Sequence, residues 1–411
     1  MGLFYSTVDL SAEVVFNDTI DQTKHTNVKI ERTDTFEALL NLSNITTLNM
    51  SDLKLRTMPA LPKLLTHLNC SGNLFTTLDS LVAPLEYLNC SRNVLVTLPD
   101  GLNVKHLVCK GNSLNCLPDM PMVEILDCSE NRISTLSQMP NLKNLNCNGN
   151  RLSRIPSGMN SLIRLHCEFN EICELPEIPT LEDLSCHRNR ITNLSKLIFP
   201  NMRILKCSYN CIFELPSGMS KLKELYCAFC RLQKLPNDCA SLEILNCPNN
   251  ALTELPNIPC VVELNCEYNQ LAELGNVPNV HTLMCGNNKF KCLPPLNNVK
   301  KLFCQKNSLL TLPDLPVAVV VHAQWNNLSK LPHMPNVEIL NCSFNAIDEL
   351  PEMPNISSLE CNNNVISVLP KNTSKLVNLV CYNNKLSEIP ETLRLQLTSL
   401  TCSRDDKLTF N

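Results

Sequence analysis

Leu142-Lys143-Asn144-Leu145-Asn146-Cys147-Asn148-Gly149-Asn150-Arg151-Leu152-Ser153-Arg154-Ile155-Pro156 is one period of a phrase that runs through most of the chain. Reduced to its recurring letters it reads L-x-x-L-x-C-x-x-N-x-L-x-x-L-P, with position one at Leu142 and position fifteen at Pro156. Aligned on position six, the phrase recurs 19 times between Met50 and Cys402, at a spacing of about 19.6 residues that belongs to stacked repeat architectures. Positions four and six lie two residues apart, so on a strand both face inward while position five faces out. Met50 and Ala323 stand at position six in two units, and 17 of the 24 cysteines fill it in the others. A buried free cysteine behaves as a small hydrophobe. The cysteine count is therefore mostly architecture, a stacked column of interior thiols.

Position nine is Asn in 16 of the 19 units, the exceptions being Leu53, Cys230 and Asp405. A sharp turn leaves backbone groups in need of partners, and an inward Asn amide can bridge its own turn and that of the next repeat. About ten residues follow, punctuated by Leu-Pro at Leu98-Pro99, Leu117-Pro118 and Leu175-Pro176. Proline fixes φ and keeps the residue before it extended, which leaves no room for a full crossover helix. Two metal or redox readings of the thiols are weak on the same geometry. Neighbouring parallel strands sit about 4.8 Å apart, wider than the roughly 3.8 Å between Cβ atoms of a disulfide. Sulfurs pointing in parallel into an apolar interior do not converge on an ion. Cys227-Ala-Phe-Cys230 matches C-x-x-C without a thioredoxin-like strand and helix around it.

With Leu312-Pro313-Asp314-Leu315-Pro316 as the clearest local match, the phrase resembles the LPX-type leucine-rich repeats of enteric bacterial effectors over about nine tenths of the chain. Its Cys-rich and Asn-rich dialect also resembles uncharacterised repeat proteins of large DNA viruses and amoebae. The expected fold is an α/β-class leucine-rich repeat solenoid, with a curved parallel β-sheet on the concave face. The convex side should be extended or polyproline-like with short 3₁₀ turns and little helix. Residues 1–40 are expected to form an N-terminal capping segment with a short helix over Thr35 to Leu40. Residues 41–411 should form the solenoid of about 19 short repeats, with Ser403 to Asn411 as a minimal cover. Some effectors of this kind carry a ubiquitin-ligase domain with a Cys-x-Asp nucleophile. No Cys-x-Asp occurs in this sequence, so the resemblance implies the binding half alone.

The formal charge of −4 and 5% aromatics lack the basic footprint of a nucleic-acid binder, and 44% apolar residues exceed what a disordered chain carries. The longest apolar run, Val317 to Val321, falls far short of the roughly 20 residues that span a bilayer. Asp9 and Glu13, with no Lys or Arg before Lys24, do not make a secretory signal. Met1-Gly2-Leu3-Phe4-Tyr5-Ser6 fits the pattern for myristoylation at Gly2. One acyl chain without a second signal holds a membrane only marginally. A reducing, cytoplasmic or other intracellular compartment follows, in a host cell if the chain is viral or an effector. Asn69, Asn89 and Asn341 match glycosylation acceptors but occupy outward strand positions.

Position eight carries Phe169, Tyr209, Phe229, Tyr268, Trp325 and Phe344, six aromatics where the composition predicts about one in 19. Tyr226 and Phe303 add two at position five. Read as outward strand residues, the eight would line a face about 43 Å long. There they would anchor a partner, or else lie over the Asn column and shield it. His67, Tyr87 and His106 share position three on neighbouring strands, and His166 and His187 lie close together. Surface histidines account for these better than metal ligands do. Glu174, Glu214, Glu254 and Lys330, each before Leu-Pro, read as a solvated convex face. No catalytic constellation and no cofactor site emerges. The chain is expected to be a non-enzymatic, monomeric scaffold that binds a protein partner on the concave face. The alternative is the substrate-recognition part of a ubiquitin-ligase system lacking its catalytic domain.

Overall fold

The computed structural model describes residues 14–15, 27–30, 44–79, 81, 85–370 and 372–402. Gly2, the segment Thr35 to Leu40, Asp405 and the remainder of Ser403 to Asn411 lie outside them. The chain divides into two compact units, Met1–Met202 and Arg203–Asn411.

Each unit is a ladder of short parallel strands, of three residues in every case but the two-residue β1. In the N-terminal unit these are β1 (Val14–Val15), β2 (Asn27–Lys29), β3 (Thr47–Asn49), β4 (His67–Asn69), β5 (Tyr87–Asn89), β6 (His106–Val108), β7 (Ile125–Asp127), β8 (Asn144–Asn146), β9 (Arg164–His166) and β10 (Asp183–Ser185). In the C-terminal unit they are β11 (Ile204–Lys206), β12 (Glu224–Tyr226), β13 (Ile244–Asn246), β14 (Glu263–Asn265), β15 (Thr282–Met284), β16 (Lys301–Phe303), β17 (Val320–His322), β18 (Ile339–Asn341), β19 (Ser358–Glu360), β20 (Asn378–Val380) and β21 (Ser399–Thr401). Before β21 comes α1 (Glu391–Gln396), the single helix among the described residues. The strands pair position for position, Leu145 opposite Leu126 and Leu165, and Leu264 opposite Leu245 and Leu283. The parallel, helix-poor solenoid read from the repeat is therefore what forms. β1 and β2 extend the same pairing into the first 40 residues, with Val28 opposite Leu48 and Ile30 N–H donating to Asn49 O at 2.8 Å.

The interior is the repeat's apolar letters stacked on themselves. Around β8, Met139, Leu142, Leu145, Cys147 and Leu152 are fully buried. Phe75 and Phe290 fill position eleven in their rungs with no exposure. Every cysteine at position six from Cys70 to Cys381 is buried, and all 24 cysteines are unbridged thiols. Burial in this apolar column disfavours the thiolate; it pushes the Cys90, Cys304 and Cys342 thiols up to about 12.

Where position nine is Asn, that residue closes the turn after the strand, in a direction opposite to the sequence expectation. Asn131 Nδ2 donates to Cys128 O at 3.1 Å and Ser129 O at 3.1 Å in its own turn, and to Cys109 O at 3.0 Å in the preceding rung. Its Oδ1 accepts the N–H of Leu114, also in the preceding rung, at 3.0 Å. The same set recurs at Asn150 and, in the C-terminal unit, at Asn269. The Asn reaches backward because position eleven of its own rung is served by the rung that follows.

On the side opposite the strands the chain runs extended between single turns closed by bonds such as Leu142 N–H to Met139 O at 3.1 Å. A second asparagine ladder ties these segments together. Asn279 Nδ2 donates to Pro259 O, Asn298 Nδ2 to Pro278 O, and Asn336 Nδ2 to Pro316 O, at 2.8 to 2.9 Å. Pro259, Pro278 and Pro316 thus each offer a carbonyl to an Asn amide 20 residues further along the chain.

Candidate functional site

Strand pairing occupies positions three to five only, so position eight is not a strand residue as its alternation suggested. It is the left-handed residue of the turn. From Gly72 to Asn383 the residue there has φ between 52° and 67° in every described rung. The physical cause is the sharp reversal after position seven, which L-residues other than Gly, Asn and Asp enter at a cost. Gly72, Gly111, Gly149, Asn249, Asn287, Asn363 and Asn383 suit it, and their recurrence at one position was the available signal. Five of the ten residues there in the C-terminal unit are aromatic: Tyr209, Phe229, Tyr268, Trp325 and Phe344.

These rings are partly open to solvent. Tyr209, Phe229, Tyr268 and Trp325 are 45% to 51% exposed, and Phe344 is half-buried beneath the ring of Trp325. Trp325 and Phe344 stack with centroids 3.8 Å apart and planes within 8°, and Tyr209 stacks on Phe229 at 4.6 Å and 12°. Tyr268 stands on the turn after β14, between the two pairs. In the N-terminal unit Phe169 is 52% exposed. His187 meets its edge at 5.4 Å and the Arg188 guanidinium lies 5.2 Å from its ring centre.

The strand face beside these turns holds Tyr226 and Phe303, both half-buried. Tyr226 donates its hydroxyl to Glu224 Oε2 at 3.3 Å, and Lys206 Nζ lies 5.4 Å from its ring centre. Burial and then the Glu224 and Glu263 carboxylates push its phenol up. Phe303 meets His322 at 5.0 Å. Sequence reading missed one bridge on this face: Gln305 Nε2 donates to Glu267 Oε1 at 2.8 Å, two rungs away. It crosses Gly286, where a Cβ would come within 2.6 Å of Gln305 Nε2. Glycine at position seven was its signature in the sequence. Burial raises the Glu267 carboxyl, opposed by the Gln305 bond.

The other sequence candidates sit as follows. In the N-terminal unit Tyr87 lies between His67, stacked at 6.0 Å, and His106, edge-on at 4.9 Å. His166 Nε2 is 3.5 Å from Asp183 Oδ2 and His187 Nδ1 is 3.7 Å from Glu168 Oε1. Among the described residues no group of three or more His, Cys, Asp or Glu side chains is placed to hold a metal ion. Nor is any helix there long and apolar enough to cross a membrane. Asn69, Asn89 and Asn341 use their side-chain oxygens locally, each accepting the N–H of position seven at 3.1 to 3.2 Å.

His106 and His322 give a pH dependence. Burial lowers both imidazoles, against the Asp127 carboxylate at His106 and the Glu360 carboxylate at His322, with His67 adding to the lowering at His106. The folded chain therefore takes up these protons less readily than the unfolded chain, whose imidazoles protonate below about pH 6.5. The unfolded state then binds more protons, so stability falls as the pH drops through and below that value. Thermal midpoints at pH 7.5 and 5.5 should differ in this direction, and His106→Gln with His322→Gln should shrink the difference.

The fold built from these stacked parallel strands has counterparts among solved structures. YopM from Yersinia enterocolitica is 27% identical, with a TM-score of 0.76 over 92% of each chain. The chain is a leucine-rich repeat solenoid. Its resemblance to bacterial effector repeats, read first from the Leu-Pro phrase, is thereby borne out. The functional domain of InlJ from Listeria monocytogenes, described as including a cysteine ladder, shares the fold at 24% identity and a TM-score of 0.56. That match covers 69% of this chain and 63% of that one. The plant peptide hormone receptor RGFR1, solved in complex with RGF2, shares the fold at 19% identity and a TM-score of 0.68, over 93% of this chain and 70% of that one. No protein-family model matches the leucine-rich repeat chain, and no curated protein sequence does.

Proposed function

We propose that the leucine-rich repeat chain is a non-catalytic scaffold that binds a partner protein. The strand face and turn edge of the C-terminal unit would receive it, through Tyr209, Tyr226, Phe229, Tyr268, Phe303, Trp325 and Phe344. Phe169 would serve as a separate anchor in the N-terminal unit. The observation that carries this reading is the aromatic residues at left-handed φ. Bulky side chains in that region cost on the order of 1 kcal/mol or more each. Asn249, Asn287, Asn363 and Asn383 show the less strained choice at this position, which Arg92, Glu130, Arg188 and Lys306 also occupy at positive φ. Partly exposed aromatic side chains gathered at one position of the turn are the usual kind of anchor at protein interfaces. The RGFR1 complex shows a related solenoid with a bound peptide, which supports a polypeptide partner. Twenty-four unbridged thiols suit a reducing compartment.

The test replaces Tyr209, Phe229 and Trp325 together by Asn, the residue of rungs 249, 287, 363 and 383. Affinity capture with the full chain, identified by mass spectrometry, should lose its partner in the variant. The thermal midpoint should stay level or rise as the turn strain is relieved. Undiminished capture of the same protein would remove the reading, and a large fall in midpoint would make the rings part of the fold instead.

A further inference from the structure

Four rungs of the C-terminal unit, β12 to β15, carry a surplus of acceptors on the face beside the aromatic turns. Their positions three, five, seven and eight hold three carboxylates, Glu224, Glu263 and Glu267, and no Lys, Arg or His. Lys206 on β11 and Lys301 on β16 bound the stretch. Glu267 is half-buried, with no cationic side chain against it among the described residues; burial raises its carboxyl, and the Gln305 bond opposes that. In the rungs that follow, Gln305 Oε1 and Gln324 Oε1 are withdrawn from solvent and accept no hydrogen bond. A buried acceptor without a donor carries a desolvation cost that a donor would remove.

Gly286 gives this row a recess. It does not lie at left-handed φ, so space and not backbone conformation calls for glycine there. An added Cβ would stand 2.6 Å from Gln305 Nε2 and 3.0 Å from Gln305 O. The Gln305 amide lies over this bare backbone and donates to Glu267 Oε1 at 2.8 Å, two rungs away. Tyr268, the next residue after Glu267, donates its N–H to Gly286 O at 3.0 Å and leaves its ring 51% exposed. Half-buried carboxylate, recess, unmet acceptors and open ring thus stand within a few residues of one another.

We propose that the partner polypeptide docks an arginine side chain in the recess over Gly286, with its guanidinium on the Glu267 carboxylate and against the Tyr268 ring. This rests on the scaffold reading above and names the chemistry of the partner. A guanidinium brings five N–H donors in a planar fork and a charge that does not titrate away. It meets a carboxylate with two parallel bonds and lies on a tyrosine face, where a lysine ammonium offers a single point of charge. On docking it takes the carboxylate from the Gln305 amide, and Gln305 Oε1 accepts one of its remaining N–H groups. A charged two-pronged donor then stands where a neutral amide stood, and the uncompensated carboxylate gains its counter-charge.

The test pans a random-sequence displayed peptide library on the full chain and measures the selected peptides, labelled with a fluorophore, by anisotropy. The binders should share an arginine. Replacing it by citrulline, which keeps the shape and removes the charge, should weaken binding about tenfold or more. Glu267→Gln should cost the arginine peptide a similar factor and the citrulline peptide little, a coupling that a merely structural role would not give. Its thermal midpoint should hold, because Gln305 Nε2 can donate to an amide oxygen as well. Binders without a shared arginine, or arginine peptides indifferent to Glu267→Gln, would overturn the proposal, as would a library that yields no binder. If such binders still lose affinity for the triple Asn variant at Tyr209, Phe229 and Trp325, the scaffold reading stands without the arginine. Arginine peptides that need Glu267 but ignore the triple variant would uphold the recess and remove the aromatic anchors.

Discussion

Replacing Leu145 by Ala lowers the unfolding free energy of the N-terminal unit by roughly 2 to 5 kcal/mol. Leu145 is fully buried at position four of β8, opposite Leu126 and Leu165 in the paired strands. Its neighbours within the rung, Leu142, Cys147 and Leu152, are fully buried too. Parallel strands on both sides keep these side chains from closing over the space left by Ala. The loss therefore includes a cavity as well as the transfer of methyl groups to water. Urea denaturation should show an earlier transition for the variant. In a repeat array, where each rung contacts its neighbours alone, a separate early phase for the rungs around β8 would report the same loss. A midpoint within experimental error of the parent would show that position four does not face the interior.

Asn150→Ala is expected to cost about 1 to 3 kcal/mol, because it strands buried backbone groups in two turns at once. The amide reaches Cys128 O at 3.0 Å, Cys147 O at 3.1 Å and Asn148 O at 3.4 Å, and accepts from Ile133 N–H at 2.9 Å. Asn146, four residues earlier, is the control. From the strand alternation it reads as an outward residue of little consequence, yet its Oδ1 accepts the N–H of Asn148 at 3.2 Å. That single, part-exposed bond is worth about 0.5 to 1.5 kcal/mol. Chemical denaturation of the two variants in parallel checks the order. A larger loss at Asn146 than at Asn150 would mean that the turn is held from the strand face and not from within.

How far the fold was legible follows from what hydrophobic period records. The spacing of Leu142, Leu145, Cys147 and Leu152 carries inward and outward sense, and with it the strand, the thiol column and the solenoid. It carries nothing about the sign of φ at one residue. The aromatic residues at position eight were accordingly placed on the strand, when they stand on its left-handed turn. Gly72, Gly111 and Asn249 at that position held the clue, since they enter such a backbone at lower cost than Phe and Trp. The backward reach of Asn131 was hidden for a similar reason. The residue type announces a side chain that bonds to backbone, but which rung it closes depends on the offset between turns. β1 and β2 escaped notice because Asn27-Val28-Lys29-Ile30 keeps the inward pair, Val28 and Ile30, without the Leu and Cys letters. At the site, the aromatic residues themselves were found by counting. Their strain, their paired stacking and the Glu267–Gln305 bridge across Gly286 needed coordinates.

The backward closure of the turns bears on how the protein is made. The amide that finishes the loop at Leu114 belongs to Asn131, 17 residues further along the chain. On a ribosome, where domains emerge and fold from the amino terminus, each loop stays open until its successor has left the exit tunnel. Nascent chains halted with Leu114 outside the tunnel but Asn131 still within it, and with both outside, should therefore differ in protease resistance at that loop.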